Sequence, residues 1–282
     1  MSHVELRRLR GVARSSWDRS TITVTNEANV GTIVRYPIAV FVISWLALWL
    51  SVQVGAWIAR KTKVLTEGER DDLDLVISSG LTLLALIIGF SFSMAVSRYD
   101  QRKDYEEEEA NAIGTEYVRA DLLPAAEATK VKKLLVQYLD QRLLFYEAKE
   151  WQSKSAIDAE TTRLQNEMWS TVQGVAKTQQ TPIVALAVTG MNDVLNRQGY
   201  TQAAWWNRIP VGAWTLMAIL SICCSALIGY GTHQRGAKLY SVMPFLVSIA
   251  FFMIADIDSP RRGVIRVSPQ NLESLSQSLH GQ

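Results

Sequence analysis

The sequence is poor in the residues that disulfide frameworks, metal centres and most catalytic sites require. It has two cysteines and three histidines in 282 residues. Cys223 and Cys224 are adjacent in an apolar run, where neighbouring helical side chains diverge and a disulfide between them is geometrically poor. They read as small apolar residues. His3, His233 and His280 are scattered and show no His/Cys ligand spacing. There is no glycine-rich phosphate loop and no nucleophile with a neighbouring base, so an enzyme is not expected. Carboxylates are missing between Leu75 and Ala95 and from the other two long apolar runs. Proton-coupled transporters and pumps place ionisable groups at the bilayer midplane, so this absence favours passive conduction or no transport. A net charge of +2 gives no global attraction to nucleic acid. The N-terminus lacks an early apolar core with a cleavage site, and no removable signal peptide is expected.

What the sequence does have is segregated hydrophobicity: 48% hydrophobic residues stand beside 20% charged ones. Uncharged runs lie between Arg35 and Arg60, between Asp74 and Arg98, and between Arg208 and His233, each of the roughly 20 residues that cross a hydrocarbon core. A fourth run, Leu239 to Ala255, is apolar all round but only 17 residues long. It reads as a short span or as a re-entrant segment. The expected fold is an all-α membrane protein with four transmembrane helices and a helical cytoplasmic domain inserted between spans two and three. The divisions are a cytoplasmic N-terminal segment 1–36, spans 37–59, 75–97, 209–232 and 239–255, extracytoplasmic loops 60–74 and 233–238, the cytoplasmic domain 98–208, and a cytoplasmic tail 256–282.

Orientation follows from Lys and Arg beside short connections. Arg7, Arg8, Arg10, Arg14, Arg19 and Arg35 precede span one; Arg98, Arg102, Lys103, Arg197 and Arg208 flank the middle region; Arg261, Arg262 and Arg266 follow span four. The opposite side has Arg60, Lys61, Lys63 and Arg70, offset by Glu67, Glu69, Asp71 and Asp72, with Arg235 and Lys238. Both termini are therefore expected in the cytoplasm, the membrane being the inner (plasma) membrane. Trp45, Trp49, Trp57, Trp205, Trp206 and Trp214 are candidates for interfacial belts.

Between Ser97 and Asn207 the prolines are Pro124 and Pro182 alone, and strong helix formers dominate. Span two should therefore continue as helix to about Leu123. Val131, Leu134, Leu135, Tyr138, Leu139, Arg142 and Tyr146 have helical spacing, as do Ile157, Leu164, Met168, Trp169, Val172 and Val175. Thr181-Pro182 is a helix start, followed by the apolar Ile183, Leu186, Met191, Val194 and Leu195. These stripes pack on each other or on neighbouring subunits.

Span two carries the most informative pattern. Ser78, Ser79, Thr82, Leu86, Gly89, Phe90, Ser93 and Ser97 recur every three or four residues and form one stripe of small and hydroxyl-bearing side chains. In lipid such a stripe is a helix-packing face or the lining of a water-filled path.

The string Gly89-Phe90-Ser91-Phe92-Ser93-Met94-Ala95-Val96-Ser97-Arg98-Tyr99-Asp100-Gln101-Arg102, with Glu109 to Thr115 and Arg119 to Pro124, resembles the bacterial bestrophin-like domain family. The resemblance covers spans two to four and the domain between them. Bestrophins are pentameric ion channels with four spans per subunit and cytoplasmic termini; their second span has a Gly-Phe pair separated by seven residues from an Arg and an aromatic, as Gly89-Phe90 and Arg98-Tyr99 are here. The resemblance implies a neck lined by Thr82, Leu86 and Phe90, with Thr82 departing from the apolar pattern. It also implies a comparison of Asp256-Ile257-Asp258-Ser259-Pro260 with the acidic turn of the bestrophin calcium clasp. Here Asp256 and Asp258 stand without a longer acidic run, and two carboxylates fall short of the six to eight oxygens Ca²⁺ takes. They read as a Ca²⁺ site or as partners of Arg261 or Arg262.

Beyond span two, Arg98, Asp100 and the consecutive Glu106, Glu107, Glu108 and Glu109 are candidates for a cytoplasmic mouth. Carboxylates pointing all round a helix place at least one toward any symmetry axis, where copies form an acidic ring that favours cations. Otherwise they are a solvated face partly neutralised by Arg102 and Lys103. The expected pore lining is Ser79, Thr82, Leu86, Phe90, Ser93 and Ser97, in a homo-oligomer whose partners are membrane lipids and inorganic ions, with no nucleic acid and no cofactor other than the Ca²⁺ just considered. The rival reading is a non-conducting scaffold or sensor whose helical domain binds a protein partner.

Overall fold

A computed structural model of the chain describes residues 36–148, 151–231 and 242–281. Among the described residues the regular structure is helical, without strands: α1 (Pro37–Lys61), α2 (Glu67–Arg119), a 3₁₀ turn (Ala120–Leu122), α3 (Ala125–Glu147), α4 (Trp151–Thr178), α5 (Pro182–Trp206), α6 (Val211–Gly231), α7 (Val242–Asp258) and α8 (Gln270–His280). The expected N-terminal segment before Tyr36 and the loop at 233–238 lie outside the described residues.

Local chemistry sets the helix limits. Pro37 occupies the start of α1, where its missing N–H costs nothing. Thr66 and Glu69 form a reciprocal capping box ahead of α2: the Thr66 amide donates to Glu69 Oε2 at 2.8 Å and the Glu69 amide to Thr66 Oγ1 at 3.4 Å. With no proline before Pro124, α2 runs for 53 residues, about 80 Å at the α-helical rise. Thr181 caps α5 by accepting from the Val184 amide at 3.2 Å.

The chain divides into two compact units, Met1–Met94 with Ile209–Gly263, and Ala95–Arg208 with Val264–Gln282. In the first unit α1 and α6 meet through glycines. A Cβ on Gly55 would lie 2.0 Å from the Ala226 carbonyl oxygen, and one on Gly229 would lie 2.1 Å from that of Val52. Only hydrogen fits at either position, and this is how helices associate where lipid supplies little hydrophobic drive. Phe41 of α1 meets Phe245 and Phe252 of α7 edge-on at 5.9 and 6.3 Å. The buried hydroxyls of Ser221 and Ser248 donate back to Met217 O and Pro244 O, so neither helix carries an unmet donor at these positions. Three stretches, within Pro37–Lys61, Glu67–Leu122 and Pro182–Gly231, are long and apolar enough to cross a membrane.

The second unit is built around a continuous apolar core from the last turns of α2 and from α3, α4, α5 and α8, including Ile113, Leu135, Tyr138, Met168, Met191 and Leu272. Two expectations are corrected. The inward face of α5 is Val184, Ala187, Met191 and Val194, while Ile183 and Leu186 are more than half exposed; Gly190 on the inward face leaves room for the Glu116 and Arg119 side chains of α2. The tryptophans also divide. Trp45, Trp49, Trp57 and Trp206 are exposed, as belt residues require, whereas Trp205 and Trp214 are buried. Trp205 packs on Phe145 at 5.0 Å and Tyr146 at 5.3 Å, and Trp214 on Phe251 at 6.2 Å. They are core aromatics of their units.

Candidate functional site: the exposed face of the second helix

On the part of α2 in the first unit, Leu84 and Ser91 are buried, and Leu73, Ile77, Gly80 and Ile87 are partly so. The alternating three- and four-residue spacing makes one narrow inward stripe. Contacts fix where it points: a Cβ on Gly80 would lie 3.0 Å from Cys224 Sγ, and Leu73 lies within van der Waals reach of Gly231, both on α6. Ser79, Thr82, Leu86, Phe90 and Ser93 lie on the opposite side, and all are exposed. Leu86 is 53% and Phe90 64% exposed, so no helix among the described residues covers them. A Cβ added at Gly89 would meet nothing within 4 Å. Ser97, in the second unit, is exposed as well.

The hydroxyls on this side are oriented. Thr82 Oγ1 donates to Ser78 O at 2.8 Å, and Ser78 Oγ to Leu75 O at 3.0 Å. With the proton turned back to the helix, each oxygen presents its lone pairs outward.

The charged residues in the second unit separate by orientation. Asp100 and Glu107 are exposed, and Arg98 and Glu108 are half-buried. Glu108 pairs with Arg197. Glu106 and Glu109 are buried, which removes them from a solvent-facing acidic mouth. Glu109 forms a sealed ion pair with Arg142 of α3 and accepts from Thr201 Oγ1 of α5 at 3.1 Å. Glu106 accepts from the Leu272 amide at 2.9 Å and from Asn271 Nδ2 at 2.7 Å, capping the first turn of α8. Arg102, expected to neutralise neighbouring glutamates, is buried and donates to Ala204 O and Asn207 O at 3.2 Å. A cation there satisfies the final carbonyls of α5 and opposes its dipole. Pairs of residues 33 to 166 positions apart carry these contacts, so helical periodicity alone does not reveal them. The one local signal is the spacing of Glu106 and Glu109, which share a helical phase with the apolar Ile113.

Asp256 and Asp258 are both buried at the end of α7. Asp258 accepts from the Ile209 amide through both oxygens, at 3.2 and 3.3 Å. Gly263 lies so close that a Cβ would be 2.4 Å from Asp256 O. Arg262, a candidate partner of these carboxylates, stacks over the Tyr36 ring at 4.1 Å. Among the described residues no group of three or more His, Cys, Asp or Glu is arranged to hold a metal ion.

The bestrophin-like domain family model matches residues 41–272, most of the chain. The chain belongs to the bestrophin-like family. Its fold is that of solved bacterial bestrophin homologues. A point variant of the Klebsiella pneumoniae homologue superposes with a TM-score of 0.62 at 12% identity, covering 86% of this chain and 97% of that one. A second structure from the same organism gives a TM-score of 0.58 at 12% identity, covering 86% and 95%. No curated protein matches the sequence. This bestrophin-like chain, helical throughout the regular structure of its described residues, therefore shares its fold with those homologues over 86% of its length.

Proposed function

We propose that this bestrophin-like protein is an oligomeric ion channel, a pentamer in the inner membrane, through which ions move passively. The observation that carries this reading is the face of α2. Its hydroxyl-bearing and small residues, with Leu86 and Phe90, are left uncovered by the other described helices, while the opposite stripe is packed. A face of serines and a threonine turned to lipid gains nothing from lipid; turned to a symmetry axis it borders water. Copies of Leu86 and Phe90 would form an apolar constriction that gates by dewetting, with Ser79, Thr82, Ser93 and Ser97 above and below it.

In this reading α1, α2, α6 and α7 are the four spans, both termini are cytoplasmic, and the second unit is the cytoplasmic domain. The 17 residues of α7 extend about 26 Å, close to the thickness of a hydrocarbon core. A modest cation preference follows from the outward lone pairs of Ser78 and Thr82 and from the exposed carboxylates of Asp100 and Glu107. Asp258 is assigned to the Ile209 amide, from which it accepts through both oxygens.

Reconstitution of the purified chain with single-channel recording, together with the mass of the detergent-solubilised assembly, tests the proposal. Unitary currents from a pentamer are expected. A monomer, or a silent oligomer, would leave the scaffold reading, in which the helical unit binds a protein partner.

A further inference from the structure

Glu116, near the end of α2, is fully buried, and neither of its carboxylate oxygens has a hydrogen-bond partner among the described residues. Glu106 and Glu109 on the same helix show the usual treatment of a buried carboxylate, with both groups hydrogen-bonded. A buried polar group without partners calls for an explanation, because desolvation is then uncompensated.

Geometry supplies one. Glu116 faces Gly190 of α5, and a Cβ on that glycine would lie 2.0 Å from Glu116 Oε2 and 2.7 Å from Arg119 Nη1. The carboxyl thus occupies the space that any other residue at 190 would fill. Ala187, Met191 and Val194, on the same face of α5, are fully buried, so the carboxyl is seated against the buried face of α5. The charged groups bearing on it are Arg119, three residues further along α2, and Asp193, on α5. On α3, Lys132 is taken up by Asp121 at 2.6 Å and lies over the Tyr117 ring at 4.9 Å. Burial pushes the Glu116 carboxyl up to about 8, against the pull of Arg119 and with a push from Asp193.

We propose that Glu116 is a proton-operated latch between α2 and α5. Protonated, the carboxyl stays seated against Gly190; ionised, it must reach water, and α5 loosens from α2 around that glycine. The latch belongs to the second unit and does not rest on conduction. The sign follows from linkage. The carboxyl binds its proton more tightly when seated than its ordinary value of 4.5. The seated state is therefore fully favoured below that value and progressively loses its advantage as pH rises to about 8, with no further loss above.

Hydrogen exchange on the full-length protein in detergent tests this at the backbone amides of residues 183–196. After division by the intrinsic exchange rate, their opening constant should rise roughly tenfold per pH unit toward about pH 8 and then level off. Glu116→Gln, which keeps the shape and cannot ionise, should abolish the rise. Asp193→Asn, by removing a like charge, should move the levelling point to lower pH. A flat profile in the wild type, or an unchanged rise in Glu116→Gln, would overturn the latch. Were Glu116→Gln not to fold, the Asp193→Asn profile decides, and an unmoved levelling point overturns the proposal.

Discussion

Glu109 and Arg142 form an ion pair sealed from solvent, with the Thr201 hydroxyl donating at 3.1 Å to the carboxylate oxygen Oε2 that also accepts from Arg142 Nη2 at 3.4 Å. One residue comes from each of α2, α3 and α5, so the pair fixes the mutual register of three helices in the second unit. The neighbouring Tyr138 hydroxyl is pushed upward by burial and by the Glu109 charge, against the pull of Arg142. Removing one partner leaves the other buried and uncompensated. Arg142→Met should therefore lower stability by about 3–5 kcal/mol, whereas Arg142→Met with Glu109→Leu should recover most of the loss. Denaturant unfolding of the detergent-solubilised variants checks both.

The glycines at the α1–α6 crossing make a separable prediction. Gly229→Val places carbon where the Val52 carbonyl stands, and relief requires the helices to separate, at a cost of about 1–3 kcal/mol or more. Gly174→Ala is the control: nothing lies within 4 Å of its added Cβ. That change, within α4 one turn before its end, should stabilise by up to about 0.5–1 kcal/mol. Thermal unfolding midpoints should move in opposite directions.

Docking of α8 depends on Glu106 and on Leu272, which is fully buried. Glu106→Ala strands the Leu272 amide and should cost about 1–3 kcal/mol. Limited proteolysis should then cut the chain ahead of α8 sooner than in the wild type, releasing a fragment that carries α8.

Asp258 sets the entry to α6 by accepting from the Ile209 amide. Asp258→Ala should destabilise the protein in unfolding measurements by about 1–3 kcal/mol, while calcium chelation should leave its unfolding midpoint unchanged.

Much of this architecture is written in periodicity. The long α2 follows from a proline-free stretch between Pro37 and Pro124, and the inward stripes of α3 and α4 from Leu135, Tyr138, Leu139, Leu164, Met168 and Val172. The uncovered face of α2 is legible for the same reason, since Thr82, Leu86 and Phe90 fall on one phase of a helix. What periodicity misses is pairing between distant segments. The helical phase that Glu106 shares with Ile113 separates it from the solvent-facing Glu107, but nothing local tells that Glu106 caps α8. Nor does anything local tell which side of α5 turns inward, because Ile183 and Val184 are equally apolar, yet Val184 is buried and Ile183 exposed. Trp205 and Trp214 mislead similarly: their position beside apolar runs suits an interface, but Phe145, Tyr146 and Phe251 claim them.

Conduction requires that the side of α2 bearing Thr82, Leu86 and Phe90 border water on a symmetry axis. The most direct test is single-channel recording from a chain in which Cys223 and Cys224 are replaced by serine and Leu86 by cysteine, before and after a positively charged thiol reagent, with Trp49→Cys on α1 as the lipid-facing control. Abrupt loss of current is expected at Leu86→Cys and none at Trp49→Cys. Currents that persist unchanged after demonstrated modification of Leu86→Cys would contradict a pore along this face.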